Sequence, residues 1–323
     1  MRVVVTGGAG FIGSHIVERL IHLGHEVLVI DDLSSGFRSN LSEGVGFVEA
    51  SIDASAATDA ITSFQPESIV HAAAQISVRT SMENPGFDAE VNVVGFLKLL
   101  NTLKEALREK AQELPHLIFL STGGAIYGDT ELVPTEEGAP ILPESLYGLH
   151  KRFGELYLDF WHRMIGLPYT VLRLGNVYGP RQNPHGEAGV VAIFAELLLK
   201  GQSCTIFGDG SQTRDFVYVG DVVDAVVAAM NRKKACVELE GCFNVGTGIE
   251  TTVQELFEMM KQVSGSSSEL VFAPARAGEQ QRSAISPRRA ERILGWKAAE
   301  SLRSGLERTF EFYASRYASV ASA

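Results

Sequence analysis

Arg2, Val3, Val4, Val5, Thr6, Gly7, Gly8, Ala9, Gly10, Phe11, Ile12 and Gly13 stand in a row near the start of the chain, and their reading decides the fold. The β-branched run Arg2 to Val5 reads as a buried strand, and Ile12 to Leu23 reads as an amphipathic helix. Between them, glycines allow a tight turn and let backbone N–H groups approach a pyrophosphate at a helix N-terminus, where the dipole favours negative charge. Gly7, Gly10, Phe11, Ile12 and Gly13 are therefore candidate cofactor-binding positions.

Working outward, the next strand, Glu26 to Ile30, ends at Asp31, eighteen residues after Gly13. A carboxylate there would accept hydrogen bonds from the ribose hydroxyls of NAD and repel the extra phosphate of NADP. Further on, Ile52, with Ser51 or Asp53 beside it, is a candidate adenine contact. Short apolar runs continue at Gly46 to Glu49, Ser68 to His71, Leu117 to Ser121 and Tyr169 to Leu174. Helical stretches alternate with them: about Ala57 to Phe64, a long one opened by Pro85 and running to about Lys110, and about Glu144 to Ile165. Such alternation predicts an α/β fold, a doubly wound parallel sheet with helices on both faces.

After Leu174 the rhythm breaks into a loop-like stretch, Gly175 to Asn183, and a helix reaching Lys200. Asp215 to Val219, the helix Asp221 to Met230 and the strand Cys242 to Val245 look like a return to the sheet. Helices near Val253 to Val263 and Leu302 to Tyr313 follow. The expected division is a cofactor domain at 1–174, with returning segments at about 214–245, and a smaller substrate domain at 175–213 and 246–323.

A chain of 323 residues is long enough for roughly two domains. A net charge of −11 argues against nucleic acid or an anionic membrane surface as a partner. Cys204, Cys236 and Cys242 form no disulfide or zinc pattern, and His22 and His25 lack companions for a metal site. No apolar run reaches the ~18 residues that cross a bilayer, and Met1, Arg2 and Val3 lead straight into the glycine turn. A cytoplasmic protein with reduced cysteines and no metal is the expectation.

Tyr147 and Lys151 stand four residues apart, on one helix face one turn apart. A tyrosine titrates near pH 10 in water, but an adjacent ammonium and an oxidised nicotinamide both stabilise its phenolate. Such a tyrosine can take a proton from an alcohol. At the end of the fifth strand lie Ser121, Thr122, Gly123 and Gly124, where a hydroxyl would share the substrate's reacting oxygen or simply cap a turn.

Taken with His71 to Val78, the Asn92 segment, the run Ser121 to Gly128, Tyr147 to Lys151, Leu172 to Gln182 and Gly208 to Val223, these motifs resemble the extended short-chain dehydrogenase/reductases, most closely the UDP-glucose 4-epimerase family. The resemblance covers nearly the whole chain. It implies a Rossmann-type sheet with a smaller C-terminal substrate domain, tightly held NAD, a UDP-sugar substrate and a homodimer built on the helices beginning near Pro85 and Glu144. It further implies that Tyr147 removes the 4-hydroxyl proton and that a 4-keto sugar turns over before reduction on its other face. Lys151 would hold the nicotinamide ribose, and Asp32, Ala72 and Ala73 would join the cofactor set. On the substrate side it implies Ser77, Asn176, Phe207, Arg214, Arg276 and Ser283, with Phe207 against the uracil and Asn176, Arg214 and Arg276 at the diphosphate.

Two positions depart from that pattern. Gly123 stands where such epimerases usually carry a catalytic Ser or Thr, leaving Thr122 as the nearest hydroxyl, and Ser51 stands where an aspartate is common. Aligned with the family, Ser283 stands where epimerases restricted to glucose and galactose often carry a bulky tyrosine; the resemblance implies room there for an N-acetylated sugar, the alternative being a C-terminal loop on a different path with Ser283 at the surface. The rival activities are a nucleotide-sugar 4,6-dehydratase, a UDP-glucuronate 4-epimerase that would use Arg181, and a non-catalytic NAD-sensing regulator. A dehydratase would need an Asp-Glu pair where Gly123 and Gly124 stand.

Overall fold

A computed structural model describes residues 1–110, 113–185, 189–232, 241–275 and 280–321. Six strands, β1 (Arg2–Thr6), β2 (Glu26–Asp31), β3 (Gly46–Glu49), β4 (Ser68–His71), β5 (His116–Thr122) and β6 (Tyr169–Leu174), join the strand Cys242–Val245 in one sheet. Its order is Cys242–Val245, β6, β5, β4, β1, β2, β3, with every neighbour parallel. The strand order reverses at β1. The crevice beyond the carboxyl ends of β1 and β4 is therefore the place where an open sheet of this Rossmann type takes its ligand.

Successive side chains of a strand point to opposite faces, and both faces are covered. Val3 and Val5 pack with Ile16, Val17 and Leu20 of α1 (Phe11–His22) and with Val222, Val226 and Ala229 of the helix Val219–Met230. On the other face Val4, Ile69, Leu117 and Phe119 meet Leu99, Leu100 and Leu103 of the helix Phe96–Lys110, together with Leu158. Burial of each such side chain contributes about 1.5–3 kcal/mol. A third cluster, away from the sheet, gathers Phe194, Leu198, Ile206, Leu256, Phe257, Met260 and Leu306.

Two expectations are corrected. The helix from Pro85 is not continuous: Pro85–Ala89 is followed by a π-helical turn, Glu90–Gly95, before Phe96–Lys110. In that widened turn Asn92 accepts from the Gln75 N–H at 3.0 Å and donates to the Gln75 carbonyl at 2.9 Å, tying the turn to the loop after β4. The strand Phe216–Tyr218 also stays outside the main sheet and pairs in parallel with Asn176–Tyr178. The reason is positional, because the place beside β6 is taken by Cys242–Val245. Gly175 donates to the Val245 carbonyl at 2.9 Å and Asn176 to the Asp215 carbonyl at 2.7 Å, so the stretch expected as a loop is handed from one strand to another.

Candidate active site

The glycine turn sits at the switch point. Gly7 has φ +68°, and a Cβ there would lie 2.5 Å from the Ala73 nitrogen. A Cβ on Gly13 would lie 2.1 Å from the Gly7 carbonyl oxygen, so neither position accepts a side chain. Ala72 donates to the Thr6 carbonyl at 3.0 Å and Ala73 to Thr6 Oγ1 at 3.4 Å, which brings the end of β4 against the turn. α1 begins after Gly10 with no side-chain cap. The first-turn N–H groups, at Phe11, Ile12 and Gly13, have no partner within the helix and carry its positive dipole end. That arrangement fits a dinucleotide pyrophosphate.

Asp31 is 8 % exposed. Its Oδ2 accepts from the Ala9 N–H at 2.9 Å and its Oδ1 from the Leu33 N–H at 2.8 Å. The carboxylate thus fixes the glycine turn, and about two of its roughly four lone-pair sites stay available for a ribose. Asp32 is exposed and accepts from the N–H and the hydroxyl of Ser34. Ser51 donates to Asp53 at 2.5 Å, and Lys98 pairs with the same carboxylate at 3.0 Å. Ser51 and then Lys98 hold Asp53 below the usual carboxylate range. Ile52 packs toward Gly95, where a Cβ would stand 2.9 Å from its Cγ2.

Tyr147 and Lys151 lie on the helix Leu146–Ile165, capped by Ser145, whose hydroxyl accepts from the Gly148 N–H at 3.2 Å. Strand alternation at the end of β5 separates its two hydroxyls. Ser121 donates to Glu155 at 2.7 Å, whereas the Thr122 side chain lies beside Tyr147. Burial first and the Asp88 carboxylate second raise the Tyr147 phenol, the Thr122 hydroxyl opposes them, and the phenol stands at about 12. Lys151 donates to the Leu120 carbonyl at 2.9 Å. Burial lowers it to about 8, against the pull of Asp88 and Glu155.

Gly124 faces the same space, since a Cβ there would lie 3.4 Å from Asn176 Oδ1 and 4.0 Å from Thr122 Oγ1. Asn176 Oδ1 is buried without a hydrogen-bond partner, which marks it for a polar group of a ligand. At Gly123 a Cβ would strike Ile285, 2.5 Å from its Cδ1. Ser283, two residues before Ile285, is 5 % exposed and not on the surface.

The remaining candidates are more scattered. Ser77 caps the helix Val78–Glu83 by accepting from the Thr80 N–H at 2.8 Å. Phe207 ends the strand Cys204–Phe207, and Arg214 donates to the carbonyls of Thr213 and Gln280 at 2.8 Å. Arg276 lies outside the described residues. Arg181 is engaged with Glu18 at 2.6 Å and with the Ser14 hydroxyl. The sequence reading missed Asp88, His150, Gln75 and the buried Glu155–Arg173 ion pair at 2.7 Å. Among the described residues no cluster of three His, Cys, Asp or Glu is placed to hold a metal.

The model of the NAD dependent epimerase/dehydratase family matches residues 3–246. The chain belongs to this family. Within it, a UDP-glucose 4-epimerase of Mycolicibacterium smegmatis is 44% identical over 318 residues, covering 97% of this chain and 98% of that protein. The crystal structure of UDP-glucose 4-epimerase from Thermotoga maritima, solved with UDP-glucose, is 45% identical with a TM-score of 0.92, covering 98% of this chain and 100% of the other. That of the Thermus thermophilus UDP-glucose 4-epimerase, a complex with NAD, is 42% identical with a TM-score of 0.90, covering 97% and 99%. For an NAD-dependent family member, the uncapped start of α1 and the spare acceptor sites of Asp31 suit the cofactor.

Proposed function

We propose that the chain is an NAD-dependent 4-epimerase of UDP-hexoses, interconverting UDP-glucose and UDP-galactose and accepting the N-acetylated pair. The observation that carries this reading is that Tyr147 and Lys151 share one helix, one turn apart, with the Thr122 hydroxyl at the end of β5 beside the phenol. When bound, NAD supplies the acceptor and donor of hydride for carbon 4. Tyr147 takes the proton of the 4-hydroxyl and returns it, and Thr122 shares that oxygen. Lys151, close by and cationic, lowers the cost of the phenolate.

Asn176, whose unpartnered Oδ1 lies beside Gly124, is assigned to the substrate, and the uncapped first turn of α1 with Asp31 to the dinucleotide. The third cluster, from 175–213 and 246–323, is assigned the nucleotide-sugar half of the crevice, with Phe207, Arg214 and Arg276 on that side. A dehydratase would need an acid where Gly123 and Gly124 stand, and Ile285 occupies the space beside Gly123. A uronate-specific site using Arg181 is disfavoured by that residue's pairing with Glu18. A coupled assay of UDP-galactose conversion by protein that carries NAD tests the proposal; NAD-loaded protein without turnover would point to a sensor.

A homodimer belongs to the same proposal. Leu156, Phe160 and Met164 are exposed at helical spacing on Leu146–Ile165, and Phe87 and Val94 are exposed on the neighbouring helical segment. Two copies pairing these faces would cover an apolar stripe that water otherwise contacts. A monomeric sedimentation coefficient would refute it. Among the described residues no helix is long and apolar enough to cross a membrane, and the buried free thiols Cys204 and Cys242 support a reducing, cytoplasmic setting.

A further inference from the structure

Behind the Tyr147–Lys151 face lies a buried pair that the proposed chemistry leaves unused. Asp88, on Pro85–Ala89, has no exposed surface. Its Oδ1 accepts from Gln75 Nε2 and, at 3.1 Å, from Asn92 Nδ2; its Oδ2 is hydrogen-bonded to His150 Nδ1. His150 stands three residues after Tyr147 and one before Lys151, itself buried. One carboxylate therefore joins three elements: the loop after β4, the π-helical turn and the helix of the proton-transfer pair. A buried carboxylate is retained only where donors satisfy it, and here the donors are two amides and an imidazole.

We propose that Asp88 and His150 are positioning residues for Tyr147 and Lys151. Their bond docks the helix against the π-helical turn and keeps a fixed negative charge behind the phenol and the ammonium. The inference rests on reading Tyr147 as the proton-transfer group. Asp88 acts on both partners in one direction, raising Tyr147 and raising Lys151. The other charged or titratable groups facing this pair are Glu155, which also raises Lys151, and His71, which feels Lys151 from β4. On the helix preceding Asp88, Arg79 and Glu83 pair with each other at the surface.

The sign of the effect follows. Without the negative charge Tyr147 ionises at lower pH, and Lys151 loses its proton at lower pH. In Asp88→Asn the acid and alkaline limbs of kcat/KM should both move toward lower pH, by about 1 unit for a neighbouring charge. His150→Ala should slow turnover with KM little changed, and His150→Asn, which keeps a donor within reach of Asp88, should restore the rate to within a few-fold. Limbs that stay in place in Asp88→Asn would overturn the proposal, as would a His150→Asn variant no faster than His150→Ala.

A second readout separates this inference from the functional one. In the NAD-loaded protein, the tyrosinate absorbance of wild type minus that of Tyr147→Phe titrates Tyr147 without any turnover. A lower midpoint in the Asp88→Asn background supports the pair's role even if UDP-galactose is not converted, and an unchanged midpoint refutes it. Inactivity of the wild type on UDP-sugars would count only against the epimerase reading.

Discussion

Thr122 and Tyr147, twenty-five residues apart in the chain, meet through their side chains at the end of β5. Burial and then Asp88 raise the phenol and the Thr122 hydroxyl opposes them, with the result at about 12. Thr122→Val keeps the shape and removes the hydroxyl beside Tyr147, so kcat should fall more than substrate affinity changes. Tyr147→Phe should lower turnover by ~100 to 10,000-fold while sparing fold and sugar binding. Full activity of Tyr147→Phe in a steady-state assay would assign the proton transfer to another group.

Asp31 gives a prediction that combines cofactor choice with stability. Its two oxygens accept from the N–H groups of Ala9 and Leu33. Asn offers one acceptor oxygen, so Asp31→Asn leaves one of these N–H groups unpaired, at a cost of about 1–3 kcal/mol. The variant should unfold at lower urea and release NAD more readily, and it should discriminate less against NADP because the like-charge repulsion is gone. Purified wild type should contain NAD, read by acid release and enzymatic cycling; NADP in its place would refute the role given to Asp31.

Acid stability should depend on His71. This ring is buried, bonded to Thr6 Oγ1 at 2.8 Å and stacked on Phe96 and Phe119. Burial, with Lys151 adding to it, lowers it to about 3. The folded value lies below the unfolded one of about 6.5, so the native state holds the neutral ring. Its contribution is complete above about pH 6.5 and is lost as pH falls from there toward about 3, at about 1.4 kcal/mol per unit. Between pH 7 and pH 5 the wild type should lose about 2 kcal/mol more than His71→Asn in urea titrations. Equal losses would show that another group carries the acid sensitivity.

The parallel strands are legible in the sequence because both their faces are buried, which makes Arg2 to Val5 and Tyr169 to Leu174 nearly continuous apolar runs. The glycine turn and Asp31 are legible because their chemistry is local. The break at Glu90–Gly95 is not, since nothing in Glu90, Val91, Asn92 and Val93 is incompatible with an ordinary helix. It is Asn92 bonding to Gln75, seventeen residues away, that accompanies the wider turn. For the same reason Asp88 and His150 carry no signal in the sequence: sixty-two residues separate them, and only the fold brings the carboxylate to the imidazole. In the sequence Gly123 reads as a missing hydroxyl, whereas in the structure the Ile285 side chain occupies the space that a Cβ there would need.

Ser283 tests the breadth of the substrate pocket. It is buried, and it precedes by two residues Ile285, whose side chain packs against Gly123. On the proposal that Ser283 lines the sugar pocket, its small side chain leaves volume for a bulky 2-substituent on the sugar, whereas a tyrosine would fill it. The wild type should therefore turn over UDP-N-acetylglucosamine as well as UDP-glucose. Ser283→Tyr should lower kcat/KM for the acetylated sugar by ~10 to 200-fold, the range that steric fit in a pocket supplies, and leave the smaller sugar within a few-fold. Because Ser283 is buried, the tyrosine must also be shown to fold, so Tm and NAD content are measured on both proteins. A folded, NAD-loaded Ser283→Tyr with an unchanged ratio of kcat/KM values would place Ser283 outside the sugar pocket, and the breadth of specificity would then rest on other residues.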